Sequence, residues 1–178
     1  MDKGQILFLN GVTSSGKTSI VDALQARDDV YFYVVANDLF EQMIGDKYLQ
    51  EDYWKHLAKV ILLMYHTAKL FSDRGEHVII DGVLVERPEI VPHYRQMMEI
   101  LSGNPLHLIH VSCPIELCEE RNLARQDRYT NQSIEQLALM APDIAYSLVV
   151  ETDKHSSEAC ADQIVQAIFH GNARHVES

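Results

Sequence analysis

The sequence predicts an α/β protein of three layers, in which helices cover both faces of a five-stranded, mostly parallel sheet. Five short runs of Val, Ile, Leu, Phe or Tyr residues have the pattern of strands buried on both faces. These runs are residues 5–10, 31–35, 77–81, 106–112 and 147–151. Segments with apolar residues at helical spacing alternate with them, at residues 53–72, 89–101, 115–126 and 157–169. The alternation indicates βαβ units, which bind their ligands at the carboxyl ends of the strands.

Length and composition indicate one globular domain over residues 1–178. The 178 residues are 47% hydrophobic and 23% charged, which are ordinary values for such a domain. The longest apolar stretch is too short to span a bilayer, and the amino terminus lacks the pattern of a signal peptide. We therefore expect no membrane partner and a cytoplasmic location. The net charge of −11 argues against a nucleic-acid partner, because a phosphate backbone needs a basic surface.

The segment after the first predicted strand matches the pattern G-x-x-x-x-G-K-[ST] of a phosphate-binding loop. It reads Gly11, Val12, Thr13, Ser14, Ser15, Gly16, Lys17 and Thr18, and Ser19 continues it into the next helix. The glycines let the backbone fold around an anion, and N–H groups at the helix start hold phosphate oxygens of a nucleotide. We expect Lys17 to reach the β- and γ-phosphates of ATP and Thr18 to bind Mg²⁺. The motif and its context predict a P-loop NTPase fold, and the loop alone does not separate kinases from GTPases, motor ATPases or sensors. With the residues considered next, we expect the nucleoside or shikimate kinase-like form of this fold.

Two aspartates follow predicted strands, where ligands of this fold class bind. Asp38 comes after the second strand, and a carboxylate there can take the proton of an acceptor hydroxyl during phosphoryl transfer. Asp38 also suits the N-cap of a helix that starts at Leu39, and the two roles are compatible. Asp81 ends the third strand, where a carboxylate holds Mg²⁺ directly or through water. It otherwise belongs to an ordinary turn, or serves as the reserve candidate for the base.

A charged segment predicts an arginine-bearing lid near residues 121–135. Arg121 and Arg125 are four residues apart and share one helix face, and Arg128 lies where that helix is expected to end. Such arginines can close over phosphates and stabilise charge in the transition state. We assign a catalytic role to Arg125 and Arg128, and a role in nucleotide binding to Arg121 and Arg125. The alternative is a solvated helix face whose arginines pair with neighbouring acidic residues.

Taken together, these residues resemble the chloramphenicol phosphotransferase family of P-loop kinases. The similarity covers nearly the whole chain, and its most specific parts are the lid segment 120–128 and residues 150–155 before the last helix. It implies transfer of the γ-phosphate of ATP to a hydroxyl of an antibiotic, with Asp38 as the base and Arg125 and Arg128 in the lid. The family's resistance enzyme has two aspartates where this chain has Asp81-Gly82, and residues 45–54 and 83–92 also differ.

The motifs leave the acceptor open. The same fold phosphorylates nucleotide-sugars, as in the zeta-type toxins, and also sugars, shikimate-like acids and nucleosides. Residues 45–54 and 83–95 are expected to form the pocket that distinguishes these acceptors, with Glu86, Arg87 and His93 among its candidates. A nucleotide-binding module without an acceptor is the alternative from another class. The apolar face of the helix at 53–72 fits either the core or the interface of a homo-oligomer.

Overall fold

The structure, a computed structural model, describes residues 2–87, 93–124 and 131–171. Its five strands form one parallel sheet in the order β2-β3-β1-β4-β5. They are β1 (Ile6–Asn10), β2 (Tyr33–Ala36), β3 (Val78–Gly82), β4 (Leu106–Ser112) and β5 (Leu148–Glu151). The number of strands and their parallel direction confirm the predicted fold class.

Helices cover both faces of this sheet and complete the three layers. In the described ranges they are α1 (Lys17–Gln25), α2 (Asn37–Glu41), α3 (Asp46–Asp73), α4 (His93–Ile100), α5 (Ile115–Ala124), α6 (Gln132–Leu139) and α7 (Ser157–Val165). A π-helical turn, Gln166–His170, continues α7. None of these helices combines the length and the apolar character needed to cross a bilayer.

The core is divided between the two faces of the sheet. Alternate residues of β1 point to opposite sides, so Ile6 and Phe8 join one cluster and Leu7 and Leu9 the other. The first cluster packs against α3, whose apolar face therefore serves the core: its fully or nearly buried members are Leu57, Ile61, Met64, Tyr65 and Ala68. The second cluster packs against α1 and α7. Because β1 is covered on both faces and paired on both edges, it is the most enclosed strand.

Register brings the predicted site residues to one edge of the sheet. Asn10, the last residue of β1, is opposite Gly82, and Ala36 at the end of β2 is opposite Asp81. On the other side, Ser112 at the end of β4 is opposite Glu151 at the end of β5. The segments that follow these strands carry the phosphate loop, Asp38 and residues 152–155, which connect β5 to α7. They meet at the carboxyl edge, as a parallel sheet requires.

Several element boundaries differ from the predicted ones. Strand β2 begins at Tyr33 rather than at residue 31, because its ladder to β3 starts where the Tyr33 N–H donates to the His77 carbonyl (3.0 Å). Helix α3 begins at Asp46, seven residues earlier than predicted, and contains a kink at Asp52 with non-helical backbone angles. Helix α6 was not predicted. The predicted helical residues 89–92 and 125–126 lie outside the described ranges.

The N-cap prediction for Asp38 is wrong. Helix α2 begins at Asn37, and the residue before it, Ala36, has the extended backbone of an N-cap (φ −133°, ψ 145°). Asp38 lies inside the first helical turn, where a carboxylate is favoured by the helix dipole.

The buried histidine His93 at the start of α4 generates a prediction about acid stability. Its Nε2 lies 2.9 Å from the hydroxyl of Tyr65, and burial lowers its pKa to about 4. In the unfolded chain the His93 imidazole takes up a proton below about pH 6.5, whereas in the folded chain the imidazole stays uncharged until about pH 4. The free energy of unfolding should therefore fall as the pH drops through this window, by up to about 3 kcal/mol.

Urea unfolding at intervals between pH 7 and pH 4.5 measures this dependence. We expect the free energy of unfolding to decrease less steeply with falling pH in His93→Gln than in the wild type. The difference between the two slopes should correspond to at most one bound proton. His66→Gln, a change at an exposed position, is the control and should keep the wild-type slope. Identical slopes for His93→Gln and the wild type would show that His93 does not contribute to acid sensitivity.

Candidate active site

The phosphate loop leaves the central strand through a buried asparagine. Asn10 accepts a hydrogen bond from the Leu84 N–H (2.8 Å) and donates one from Nδ2 to the Tyr146 hydroxyl (2.6 Å). These contacts tie the end of β1 to the segments that follow β3 and precede β5. The point at which the loop begins is therefore fixed from two sides.

Two residues of the loop have left-handed backbone, Ser14 (φ 58°) and Gly16 (φ 101°). Backbone that alternates between right- and left-handed conformations turns successive N–H groups toward one point and creates a concavity for anions. Helix α1 starts at Lys17 and adds the positive end of its dipole. The conformation of the loop therefore fits the phosphates that the motif predicts.

The amine of Lys17 lies against the loop. Nζ donates to the carbonyl oxygens of Gly11 (2.7 Å) and Val12 (2.9 Å). The long side chain thus folds back over the loop and places positive charge beside its backbone. A cation at this position is suited to a ligand that carries several negative charges.

The two predicted metal ligands are brought together. The Thr18 hydroxyl donates to Asp81 Oδ2 over 3.4 Å, although the residues are 63 positions apart in sequence. A hydroxyl and a carboxylate are hard oxygen donors, the kind that Mg²⁺ selects. The ranges that the structure describes hold no cluster of three or more His, Cys, Asp or Glu side chains that could bind a metal. The pair fits Mg²⁺, which protein side chains commonly hold through one or two ligands while nucleotide phosphates and water supply the rest.

Gly82, which stands where the resistance enzyme has its second aspartate, is crowded by two side chains. A Cβ atom at position 82 would lie 3.2 Å from Asn37 Oδ1 and 3.2 Å from the ring of Phe8. Both contacts are tighter than an ordinary van der Waals approach, so a side chain there would push Asn37 or the core ring aside. Asp81 is consequently the carboxylate that this strand end presents.

Asp38 shares one cavity with the phosphate loop. The cavity has a volume of about 1160 Å³ and is lined by Lys17, Thr18, Asp38 and Asp81 among others. Thus the predicted base, the predicted metal ligands and the predicted phosphate-binding lysine face the same space. A cavity of this size accommodates two small molecules side by side.

The cavity also has an aromatic wall. The guanidinium of Arg87 lies 4.1 Å from the centre of the Trp54 ring, a cation–π contact. Tyr53 packs edge-on against Trp54 and donates its hydroxyl to Glu41 (2.9 Å). Leu57 and Ile61 of the same helix also line the cavity. The segments at 45–54 and 83–95 thus contribute Tyr53, Trp54, Val83, Val85, Arg87 and His93 to its lining.

Arg121 lies beside the phosphate loop. Its guanidinium donates to the carbonyl oxygens of Ser14 (3.2 Å) and Thr152 (3.3 Å). The Thr152 hydroxyl in turn donates to the Ser15 carbonyl (2.6 Å). Arg121 also lines the cavity, so its predicted role in nucleotide binding remains a prediction, with a structural role now visible beside it. The predicted lid residues Arg125 and Arg128 lie outside the described ranges.

Three polar residues that the sequence did not single out also hold the loop. Gln136 of α6 accepts a hydrogen bond from the Thr13 N–H (2.6 Å), and Ser133 donates to the Thr13 carbonyl (3.1 Å). Asn122 of α5 accepts from the Ser14 hydroxyl (2.6 Å). No local pattern in the sequence marks these residues, because their partners in the loop are more than 100 positions away.

A family model described as chloramphenicol phosphotransferase-like protein matches residues 4–169. The chain is also similar to an adenylyl-sulfate kinase of Clostridium acetobutylicum, with 27% identity over 175 residues that cover 92% of this chain and 82% of the relative.

Solved structures of kinases share the fold. The APS kinase of Mycobacterium tuberculosis, in complex with AMPPNP and APS, aligns with a TM-score of 0.69 at 15% identity, covering 93% of this chain and 98% of the other. Shikimate kinase from Acinetobacter baumannii, in complex with shikimate, aligns with a TM-score of 0.69 at 15% identity over 96% of each chain. The predicted P-loop kinase fold is therefore confirmed.

Proposed function

The chain belongs to the chloramphenicol phosphotransferase-like family, and from this premise we propose that it is a kinase that transfers the γ-phosphate of ATP to a hydroxyl of a small molecule. One observation carries the proposal. The phosphate loop, the oxygen pair of Thr18 and Asp81, and the carboxylate of Asp38 all line one cavity. These are the parts that phosphoryl transfer needs, because its catalysis consists largely of positioning and charge stabilisation.

The loop and Lys17 bind the phosphates of ATP in this proposal. The left-handed residues Ser14 and Gly16 turn backbone N–H groups toward the anion, and α1 adds its dipole. Lys17 exchanges its contacts with the carbonyls of Gly11 and Val12 for phosphate oxygens. Its charge then offsets the negative charge that spreads over the transferred group.

Thr18 and Asp81 are the residues that would hold Mg²⁺. When bound, the ion neutralises phosphate charge and so favours the displacement. Asp81 approaches the Thr18 hydroxyl from β3, next to the loop that binds the nucleotide in this proposal. This position favours a metal-binding role for Asp81 over its reserve role as the base.

Asp38 accepts the proton of the acceptor hydroxyl. It stands in the first turn of α2, after the edge strand β2, and lines the same cavity as the loop and the aromatic wall. A carboxylate there orients the hydroxyl and takes its proton as the new P–O bond forms and the bond to the leaving ADP oxygen breaks.

The wall of Tyr53, Trp54, Leu57 and Ile61 favours an acceptor that carries an aromatic or apolar body, as chloramphenicol does. A compact acid such as shikimate offers little apolar surface to such a wall. Arg87 provides one cation at this wall, and the similarity to adenylyl-sulfate kinases makes an adenine nucleotide the second candidate acceptor.

Incubation of the protein with ATP, Mg²⁺ and a panel of acceptors, followed by mass spectrometry, tests the proposed reaction. The panel contains chloramphenicol, adenylyl sulfate, shikimate, gluconate, nucleosides and UDP-sugars. We expect one of these compounds to gain a single phosphoryl group, and EDTA to abolish the gain. Tight ATP binding without transfer to any member would instead favour a nucleotide-binding module.

Asp38→Asn should reduce kcat for the active acceptor by about 10²–10⁴-fold, the usual contribution of a positioned general base. The ATP dissociation constant should change by less than threefold, because Asp38 faces the acceptor. Asp46→Asn at the exposed start of α3 is the matched control and should retain activity. Full turnover by Asp38→Asn would remove this residue from the role of base.

Lys17→Ala should lower kcat/KM by an amount equivalent to about 3–4 kcal/mol, the range for removing one preorganised charge contact. Steady-state kinetics with saturating acceptor measure this loss, and Lys47→Ala on the exposed surface of α3 controls for the change in net charge. A decrease below tenfold for Lys17→Ala would contradict its role.

Trp54→Ala should raise the KM for the acceptor at least tenfold while the KM for ATP stays within threefold. The change removes one aromatic face of the cavity and the support of Arg87. Equal effects on both KM values would show that the wall does not form the acceptor pocket. Tyr48→Ala, an exposed aromatic of the same helix, is the control.

A further inference from the structure

Ser14 has a backbone conformation that its residue type does not favour. Its φ of 58° is left-handed, and a Cβ atom then crowds the following carbonyl oxygen. The other left-handed residue of the loop is Gly16, which has no Cβ and adopts this conformation without strain. The loop needs both residues to be left-handed if its N–H groups are to converge on an anion. Something outside the loop must therefore stabilise Ser14.

The side chain of Asn122 provides this stabilisation. Ser14 donates its hydroxyl to Asn122 Oδ1 over 2.6 Å, and the contact spans 108 positions in sequence. Arg121, the preceding residue, donates to the Ser14 carbonyl over 3.2 Å. Adjacent residues of α5 thus hold the side chain and the carbonyl of the same strained residue.

The orientation of the Asn122 amide is itself determined. Asn122 is buried, with only 2% of its surface exposed, and its Nδ2 donates to Glu119 (3.1 Å) and to Ser133 (2.6 Å). The Ser133 hydroxyl donates to the Thr13 carbonyl and therefore accepts from Asn122, so the NH₂ group faces Ser133 and the oxygen faces Ser14. Glu119 also accepts from the Asn131 N–H (3.0 Å), which holds its carboxylate in place.

We propose that Asn122 is a positioning residue that keeps Ser14 left-handed and so keeps the phosphate loop ready for a nucleotide. The residue acts through Ser14 and does not need to touch the nucleotide. This inference rests on the proposed function, because it assumes that the loop binds ATP. It adds that the affinity for ATP depends on a buried amide in α5 as well as on the loop's own sequence.

Substitutions at Ser14 separate this role from a general contribution to folding. Ser14→Ala removes the hydroxyl and keeps the Cβ atom, whereas Ser14→Gly removes both the hydroxyl and the strain. Isothermal titration of each variant with ATP and Mg²⁺ gives the dissociation constants. We expect Ser14→Ala to weaken ATP binding about tenfold, and Ser14→Gly to bind at least fivefold more tightly than Ser14→Ala.

The double variants provide the decisive comparison. Asn122→Ala should raise the ATP dissociation constant about tenfold in the wild-type loop. In the Ser14→Gly background the same change should raise the ATP dissociation constant less than threefold, because glycine adopts the left-handed conformation without help from Asn122. If Asn122 only stabilised the fold, its substitution would raise the ATP dissociation constant by the same factor in both backgrounds.

Ser72→Ala is the control for a lost buried hydroxyl, since Ser72 donates to the Gly4 carbonyl (2.6 Å) at the opposite edge of the sheet. It should lower the melting temperature and leave the ATP dissociation constant within threefold.

Three outcomes overturn the inference, and they lead to two distinguishable conclusions. In the first, the wild type binds ATP, but Asn122→Ala raises the ATP dissociation constant as much in the Ser14→Gly background as in the wild-type loop. In that case Asn122 does not act through Ser14, and the proposed kinase function is unaffected. A Ser14→Gly variant that binds as weakly as Ser14→Ala leads to the same conclusion. If the wild type binds no ATP, the proposed function fails, and the positioning role fails with it.

Discussion

The candidate site depends on the enclosure of β1. This strand is paired on both edges and covered on both faces, so its end cannot shift without disturbing both core clusters. The buried side chain of Asn10 extends this restraint to the start of the phosphate loop by bonding to Leu84 and Tyr146. A loop that must place several N–H groups within tenths of an ångström needs such a rigid origin.

Around that origin the chain separates two tasks. The central strands β1 and β3 lead into the phosphate loop and the Thr18–Asp81 pair, which bind ATP and Mg²⁺ in the proposed function. The edge strand β2 and helix α3 lead to Asp38 and the aromatic wall, which face the acceptor in that proposal. In the proposed function, the acceptor side can therefore change while the phosphate site is kept.

Sequence reasoning predicted the parts of the site that depend on local patterns. The strands follow from runs of buried residues, the loop from a contiguous motif, and the positions of Asp38 and Asp81 from the rule that sites lie after parallel strands. The roles of Asn122 and Gln136 could not be predicted in this way, because their partners Ser14 and Thr13 are more than 100 positions away. The start of α3 was missed because its first turn precedes a kink and lacks apolar periodicity.

The position of β2 at the edge of the sheet has a consequence for how acceptors are exchanged in evolution. β2 pairs on one side only, and its first residue, Tyr33, is secured by stacking on Phe71 at the far end of α3. In the proposed function, partly buried residues that line the cavity, such as Trp54 and Arg87, can therefore change while this anchor and the central strands are preserved. Laboratory selection for new acceptors should accordingly begin with Tyr53, Trp54 and Arg87.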